Sequence, residues 1–114
     1  METKITFRNM EHSDPMEKHA QQQLEKVKTF LENEPTPVRI DLILEPSKVH
    51  SHHRIELRVK SPHYDVISNY EGSEFYKVLD RVIDIMYKRL HEEKRKRIDA
   101  RKGIGRSENF KKNS

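Results

Sequence analysis

Twice between residues 38 and 60, apolar side chains fall on every second position. Val38, Ile40, Leu42 and Leu44 alternate with Arg39, Asp41, Ile43 and Glu45, and Ile55, Leu57 and Val59 alternate with Arg54, Glu56, Arg58 and Lys60. A period of two belongs to a strand, whose successive side chains point to opposite faces. Only one face of each strand is apolar, so the sheet they form needs cover on one side and leaves the other to water. Lys4-Ile5-Thr6-Phe7-Arg8 alternates in the same way. Tyr64–Tyr70 reads as a fourth strand, although the adjacent Val66 and Ile67 break its alternation and leave its register open.

Two segments of helical period can supply the cover. Met16, Ala20, Leu24, Val27 and Leu31, widened by Phe30, recur at spacings of three or four and make one apolar stripe. Asp14-Pro15-Met16-Glu17 reads as the start of that helix, with Asp14 as cap, Pro15 at the first helical position and Glu17 completing a capping box. Glu34-Pro35-Thr36-Pro37 ends it, since neither proline can continue a helix. Beyond Gly72-Ser73, where Ser73 is placed to cap, Phe75, Leu79, Val82, Ile83, Met86 and Leu90 form a second stripe. The order β-α-β-β-β-α predicts an α+β two-layer fold, a four-stranded mixed sheet with both helices packed on one face. The first β-α-β unit is expected to be a right-handed crossover, which makes strands one and two parallel, and the others antiparallel.

With 114 residues, of which 32% are hydrophobic and 37% charged, the chain has material for one modest core. Residues 1–102 are expected to form the domain and 103–114, mostly polar with two glycines, a disordered basic tail. The absence of cysteine excludes disulfides and thiolate zinc sites and fits a reducing compartment. No apolar run approaches the length of a membrane span. A monomeric, cytoplasmic protein with no membrane partner is expected.

The net charge of +4 is unevenly placed. Residues 1–87 carry 12 Lys and Arg against 15 Asp and Glu, whereas residues 88–102 carry 8 against 3. On the second helix the face that holds Leu90 passes to Glu93, Lys94, Arg97 and Arg101, with Lys88, Arg95 and Lys102 on the opposite side. A helix over 74–102 would run about 40 Å at about 1.5 Å per residue. Strands of this length span roughly 25 Å. The helix should therefore overhang the sheet by two or three turns and bury nothing there, which a polyanion would explain: cations along a rod neutralise phosphates and release counterions. Nothing resembles a helix-turn-helix or basic zipper, which favours RNA over DNA. Arg39, Arg54, Arg58 and Lys60 on the open sheet face form a secondary basic surface, diluted by Asp41, Glu45 and Glu56.

Leu24-Glu25-Lys26-Val27-Lys28-Thr29-Phe30, Glu74-Phe75-Tyr76-Lys77-Val78-Leu79-Asp80, and Leu90 with the basic run after it resemble, in order and spacing, the motifs of the short ribosome hibernation-promoting factor and ribosome-associated inhibitor A family. The resemblance covers about residues 3–102. It implies binding to small-subunit rRNA in the channel that otherwise holds mRNA and the A- and P-site tRNAs, and so inhibition of translation and ribosome hibernation in stress or stationary phase. By position, Lys26 matches a first-helix lysine and Lys88 a second-helix arginine. Lys94, Arg95, Lys96, Arg97, Arg101 and Lys102 match the basic continuation. Ile85 stands where the family usually has a lysine, and Arg89 occupies a glutamine position. The chain as given lacks the additional domain of the long forms, so any pairing of ribosomes would call on a helper protein, and its short basic extension is unlike the acidic tail of the inhibitor.

Other readings are weaker. His50, His52 and His53 share one loop without a carboxylate at ligand spacing, and His12, His19, His63 and His91 are scattered, so no metal site is expected. Gly103-Ile104-Gly105 follows no strand, and no nucleophile elbow is present, so neither catalysis nor a cofactor is expected. Asp80 and Asp84, four apart, are expected to pair with Arg81 and Lys88 rather than act as an acid–base couple. Tyr64, Tyr70, Tyr76 and Tyr87 read as packing residues more readily than as base-stacking ones. A general RNA-binding or protein-interaction regulator without ribosome specificity is the alternative.

Overall fold

A computed structural model describes residues 1–49 and 51–110, with 102–110 described by backbone alone. Its elements are β1 (Glu2–Phe7), α1 (Asp14–Phe30), β2 (Arg39–Pro46), β3 (His53–Lys60), β4 (Asp65–Gly72) and α2 (Phe75–Phe110). The four strands lie in the order β1-β2-β3-β4, with β1 and β2 parallel and the other pairs antiparallel. This is the α+β architecture expected from the alternation.

The register explains which face is buried. Ile5 sits beside Leu42, Phe7 beside Leu44, and Leu42 in turn opposite Leu57, so one face of the sheet is continuous in apolar side chains. Ile40, Leu42, Leu44, Ile55, Leu57 and Val59 on that face meet Ala20, Leu24, Val27 and Leu31 of α1 and its C-terminal end, and Phe75, Val78, Leu79, Val82, Ile83, Met86 and Leu90 of α2. Each Leu or Ile fully removed from water contributes roughly 1.5–3 kcal/mol, so this shared layer holds both helices on one side. α2 lies over β3 and β4 and against α1, and only the absence of a Cβ at Gly72 admits its first turn, because one there would lie 2.9 Å from Val78 Cγ2.

Several local details differ from expectation. The cap of α1 is Ser13, whose Oγ accepts from the Met16 N–H at 3.4 Å, while Asp14 and Glu17 lie in the first turn. Hydroxyl and carboxylate are similar caps, and the extended backbone at Ser13 decides between them. The same helix ends at Leu31, before the prolines. At the start of α2 the Glu74 carbonyl accepts from the Val78 N–H, so Glu74 rather than Ser73 holds the capping position. On β4, Val66 points inward and Ile67 outward, and the next inward position is Ser68, fully buried, its Oγ donating to the Val82 carbonyl at 3.0 Å. That bond satisfies the hydroxyl, which lets a polar residue hold a core position.

α2 was expected to stop at 102. Its backbone instead continues to Phe110, across Gly103 and Gly105; residues 111–114 lie outside the described residues. Glycine in a helix costs about 1 kcal/mol relative to alanine, which weakens an extending helix without forbidding it. The molecule measures 58 × 30 × 18 Å with a radius of gyration of 17.4 Å. A compact chain of this length would have a radius near 13 Å. The difference is the overhanging helix.

Candidate nucleic-acid interface

Among the described residues Leu90 is the last fully buried side chain of α2, and the helix continues from there to Phe110. Two contacts fasten its next turn to the body. The Lys94 ammonium lies 5.6 Å from the Phe30 ring centre, and the Arg97 guanidinium lies 5.1 Å from that of Tyr64. Phe30 in turn packs edge-on against Tyr64, Tyr87 and His91. Tyr64 is 5% exposed, so the cation there covers part of the core as an apolar side chain would. Arg97 Nη1 is hidden from solvent and has no hydrogen-bond acceptor among the described residues.

The predicted cations therefore divide into two groups. Arg89 belongs with the fastened ones: its Nη1 donates to the Ile67 carbonyl on the edge strand β4. Lys26 pairs with Asp84 across the two helices at 3.9 Å, and Lys96 with Glu93 at 3.5 Å. Lys88, Arg95 and Arg101 are exposed and have no carboxylate within ion-pair distance among the described residues. The Lys102 side chain lies outside the described residues.

The sequence reading missed Arg81. It is exposed, rests 5.6 Å from the Tyr70 ring centre, and stands seven residues before Lys88, which stands seven before Arg95 and fourteen before Lys102. Seven residues are nearly two helical turns, drifting about 20° per step, so this series follows one side of the rod. Arg81 was expected to be occupied by Asp80 or Asp84. Instead Asp80 pairs with His19 at 3.1 Å and Asp84 with Lys26, both across to α1. The heptad spacing was the available signal.

The open sheet face does not form a second cationic surface. Its register sets Glu2 beside Arg39, Glu45 opposite Arg54, and Asp65 opposite Lys60, and these pairs lie at 3.7, 3.5 and 3.7 Å. Arg58 donates twice to Asp65 at 3.1 Å. Every cation proposed there has a carboxylate neighbour, which composition alone could not reveal because pairing depends on register.

A carboxylate stiffens the end from which the rod emerges. Glu34, its side chain 6% exposed, accepts from Ser61 Oγ at 2.7 Å and from the His63 N–H at 2.8 Å, with His63 Nδ1 3.1 Å away. Burial works against its charged form, but these hydrogen bonds and the nearby imidazole outweigh burial and hold the carboxyl below its ordinary value of 4.5. Glu34 thus ties the loop after α1 to the β3–β4 turn, directly beside Tyr64.

The histidines do not converge. His53 packs edge-on against Phe75, His50 lies outside the described residues, and no group of three His, Asp or Glu among the described residues is arranged to hold a metal. Tyr70, Tyr76 and Tyr87 are exposed, but each is already in contact: Tyr70 with Arg81, Tyr76 with His19, Tyr87 with His91. No helix among the described residues is long and apolar enough to cross a membrane.

The fold and its outstanding feature define a small two-layer α+β body that carries a basic helix past the end of its sheet. The chain belongs to the family described as Sigma 54 modulation protein / S30EA ribosomal protein, whose sequence model matches residues 3–98. The resemblance to the hibernation-promoting factor family read from the two helices is thereby borne out. Among solved structures, the N-terminal domain of Thermus thermophilus Protein Y is 20% identical, with a TM-score of 0.64 over 78% of this chain and 94% of that one. A ribosomal subunit interface protein from Coxiella burnetii is 17% identical, with a TM-score of 0.70 over 82% of this chain and 98% of that one. At these identities the likeness is one of fold. No curated protein matches the chain.

Proposed function

We propose that this protein binds rRNA of the small ribosomal subunit in the mRNA and tRNA channel and keeps ribosomes inactive, as a hibernation factor without catalytic activity of its own. The observation that carries this reading is the series Arg81, Lys88 and Arg95, exposed and free of carboxylate partners among the described residues, with Arg101 likewise exposed and unpaired on the other side of a helix that overhangs the body. Membership of a family described by a ribosomal protein supports the choice of polyanion. Residues 1–102 are the ribosome-binding unit in this reading. Inhibition follows from occupancy, so purified protein should inhibit translation in a cell extract in proportion to its ratio to ribosomes and should sediment with them. Inhibition at far below one copy per ribosome would instead require turnover and would refute the occupancy mechanism.

The family description also names modulation of a sigma factor, which keeps a protein-docking role as a second reading. In that case the protein would remain in the soluble fraction when ribosomes are pelleted.

A further inference from the structure

β4 is the last strand of the sheet, and among the described residues it pairs with β3 alone. One contact shows how the backbone is presented along its other side. The Ile67 carbonyl accepts from Arg89 Nη1, outside the ladder, so it points away from β3. In an antiparallel pair this direction alternates along the strand, so Asp65, Asn69 and Glu71 also turn their amides and carbonyls outward. The strand pairs without interruption from Asp65 to Gly72 and holds no proline, so neither a bulge nor a missing amide blunts this edge.

α2 brings side chains to the same edge. Arg81 rests on the Tyr70 ring and Arg89 reaches Ile67. Half-buried Ile85 stands between them, four residues from each, and the three make one row along the helix. Its members are about 6 Å apart, at about 1.5 Å per residue. Alternate residues of a strand are about 6.6 Å apart, so a strand added to β4 would set every second side chain against one member of the row. A hollow of about 250 Å³ lies here, lined by Arg81, Asp84, Ile85, Lys88, Arg89 and Glu92. Asp84 is paired with Lys26 of α1, which leaves Glu92 as the carboxylate of the hollow against three cations.

We propose that the β4 edge and this row dock an acidic, extended segment of a partner protein. The segment adds a fifth strand and sets carboxylate, apolar and carboxylate side chains at alternate positions against Arg81, Ile85 and Arg89. Its backbone bonds to the outward groups of Ile67, Asn69 and Glu71, and the row selects the side chains. Arg89 yields the Ile67 carbonyl to an incoming amide and turns to the carboxylate, exchanging a neutral acceptor for a charged one. A peptide is the occupant because its backbone supplies a donor for each outward carbonyl and an acceptor for each outward amide, whereas phosphates offer acceptors alone. The proposal stands apart from the ribosomal reading, although Arg81 would serve either ligand.

The test uses the isotopically labelled full chain and three blocked heptapeptides. The first has threonine at odd positions and glutamate, valine and glutamate at even ones. The second has lysine in place of glutamate, and the third has the composition of the first with its two glutamates adjacent. With the first, hydrogen exchange at the amides of Ile67, Asn69 and Glu71 should slow, and its affinity should exceed that of the other two about tenfold, the lower end of what one charged hydrogen bond contributes. Arg89→Gln and Arg81→Gln should each remove about that factor while the remaining amide signals stay in place. Should either variant fail to fold, the three peptides on the unmodified chain decide the matter. Absence of binding, equal binding of the second or third peptide, or binding without slowed exchange would overturn the added strand. Slowed exchange at the same amides with an octamer of uridylate, and not with the first peptide, would overturn the peptide as occupant in favour of RNA.

Discussion

Arg97 sits where two uses of a guanidinium compete. Read from the helix stripe, it is one more cation on the rod; in the structure it lies on Tyr64 and extends the core by a turn. A cation on a partly desolvated ring contributes about 0.5–2 kcal/mol. Arg97→Ala should therefore lower the unfolding midpoint and leave the logarithmic salt dependence of ribosome binding nearly unchanged. Arg95→Ala, which removes an exposed cation, should leave the midpoint and flatten that dependence by about 0.7–0.9. Paired thermal melts and salt titrations on the two variants separate the roles. Glu34 makes a different case at the same scale. Its carboxyl is held below 4.5 in the folded state, so the unfolded chain takes up that proton first as pH falls. The stability it contributes is complete above the unfolded value and is lost as pH drops through the folded one. Glu34→Gln should accordingly destabilise the protein at neutral pH, on the order of 1–2 kcal/mol for lost charged hydrogen bonds, and urea midpoints of the two proteins should converge as pH falls below 4.5 and through the lowered folded value.

At the scale of elements, α2 combines a buried stripe, a fastened turn and an exposed series of cations in one continuous helix. The shallow depression formed by Arg81, Asp84, Ile85, Lys88, Arg89 and Glu92 places half-buried Ile85 among the cations. Ile85→Lys, which adds a cation among those already there, should steepen the salt dependence by about 0.7–0.9. An unchanged slope would show that this side of the rod does not meet phosphate. Periodicity made the elements legible: the strand alternations at 38–45 and 54–60 and both helix stripes lie where expected, and topology followed from them. What depended on partners was not legible. Ser68 reached the core because Val82 offers a carbonyl, Asp80 and Asp84 turned to α1 rather than to their own helix, and Arg54 met Glu45 through a register that no count of charges contains. Lys88, Arg95, Lys94 and Arg89 are all exposed, as read from their spacing, but Lys94 and Arg89 are engaged by the Phe30 ring and the Ile67 carbonyl, which spacing does not show.

For the whole molecule, the decisive property is where its charges end up. The acids of the body are largely matched in the sheet register and across the helices, and of the unmatched cations Arg81, Lys88, Arg95 and Arg101 lie along α2, with Lys4, Lys18 and Lys48 on the body. A chain of net charge +4 spread evenly would feel a polyanion as a point; an elongated one with its surplus toward one end has a large dipole. Torque then turns it during diffusion, so most encounters begin with the overhang leading. Stopped-flow measurements should accordingly show the association rate falling steeply with ionic strength while the dissociation rate changes much less. The stiff helix thus acts on the capture event before any contact forms, as a compass needle does before it touches the magnet.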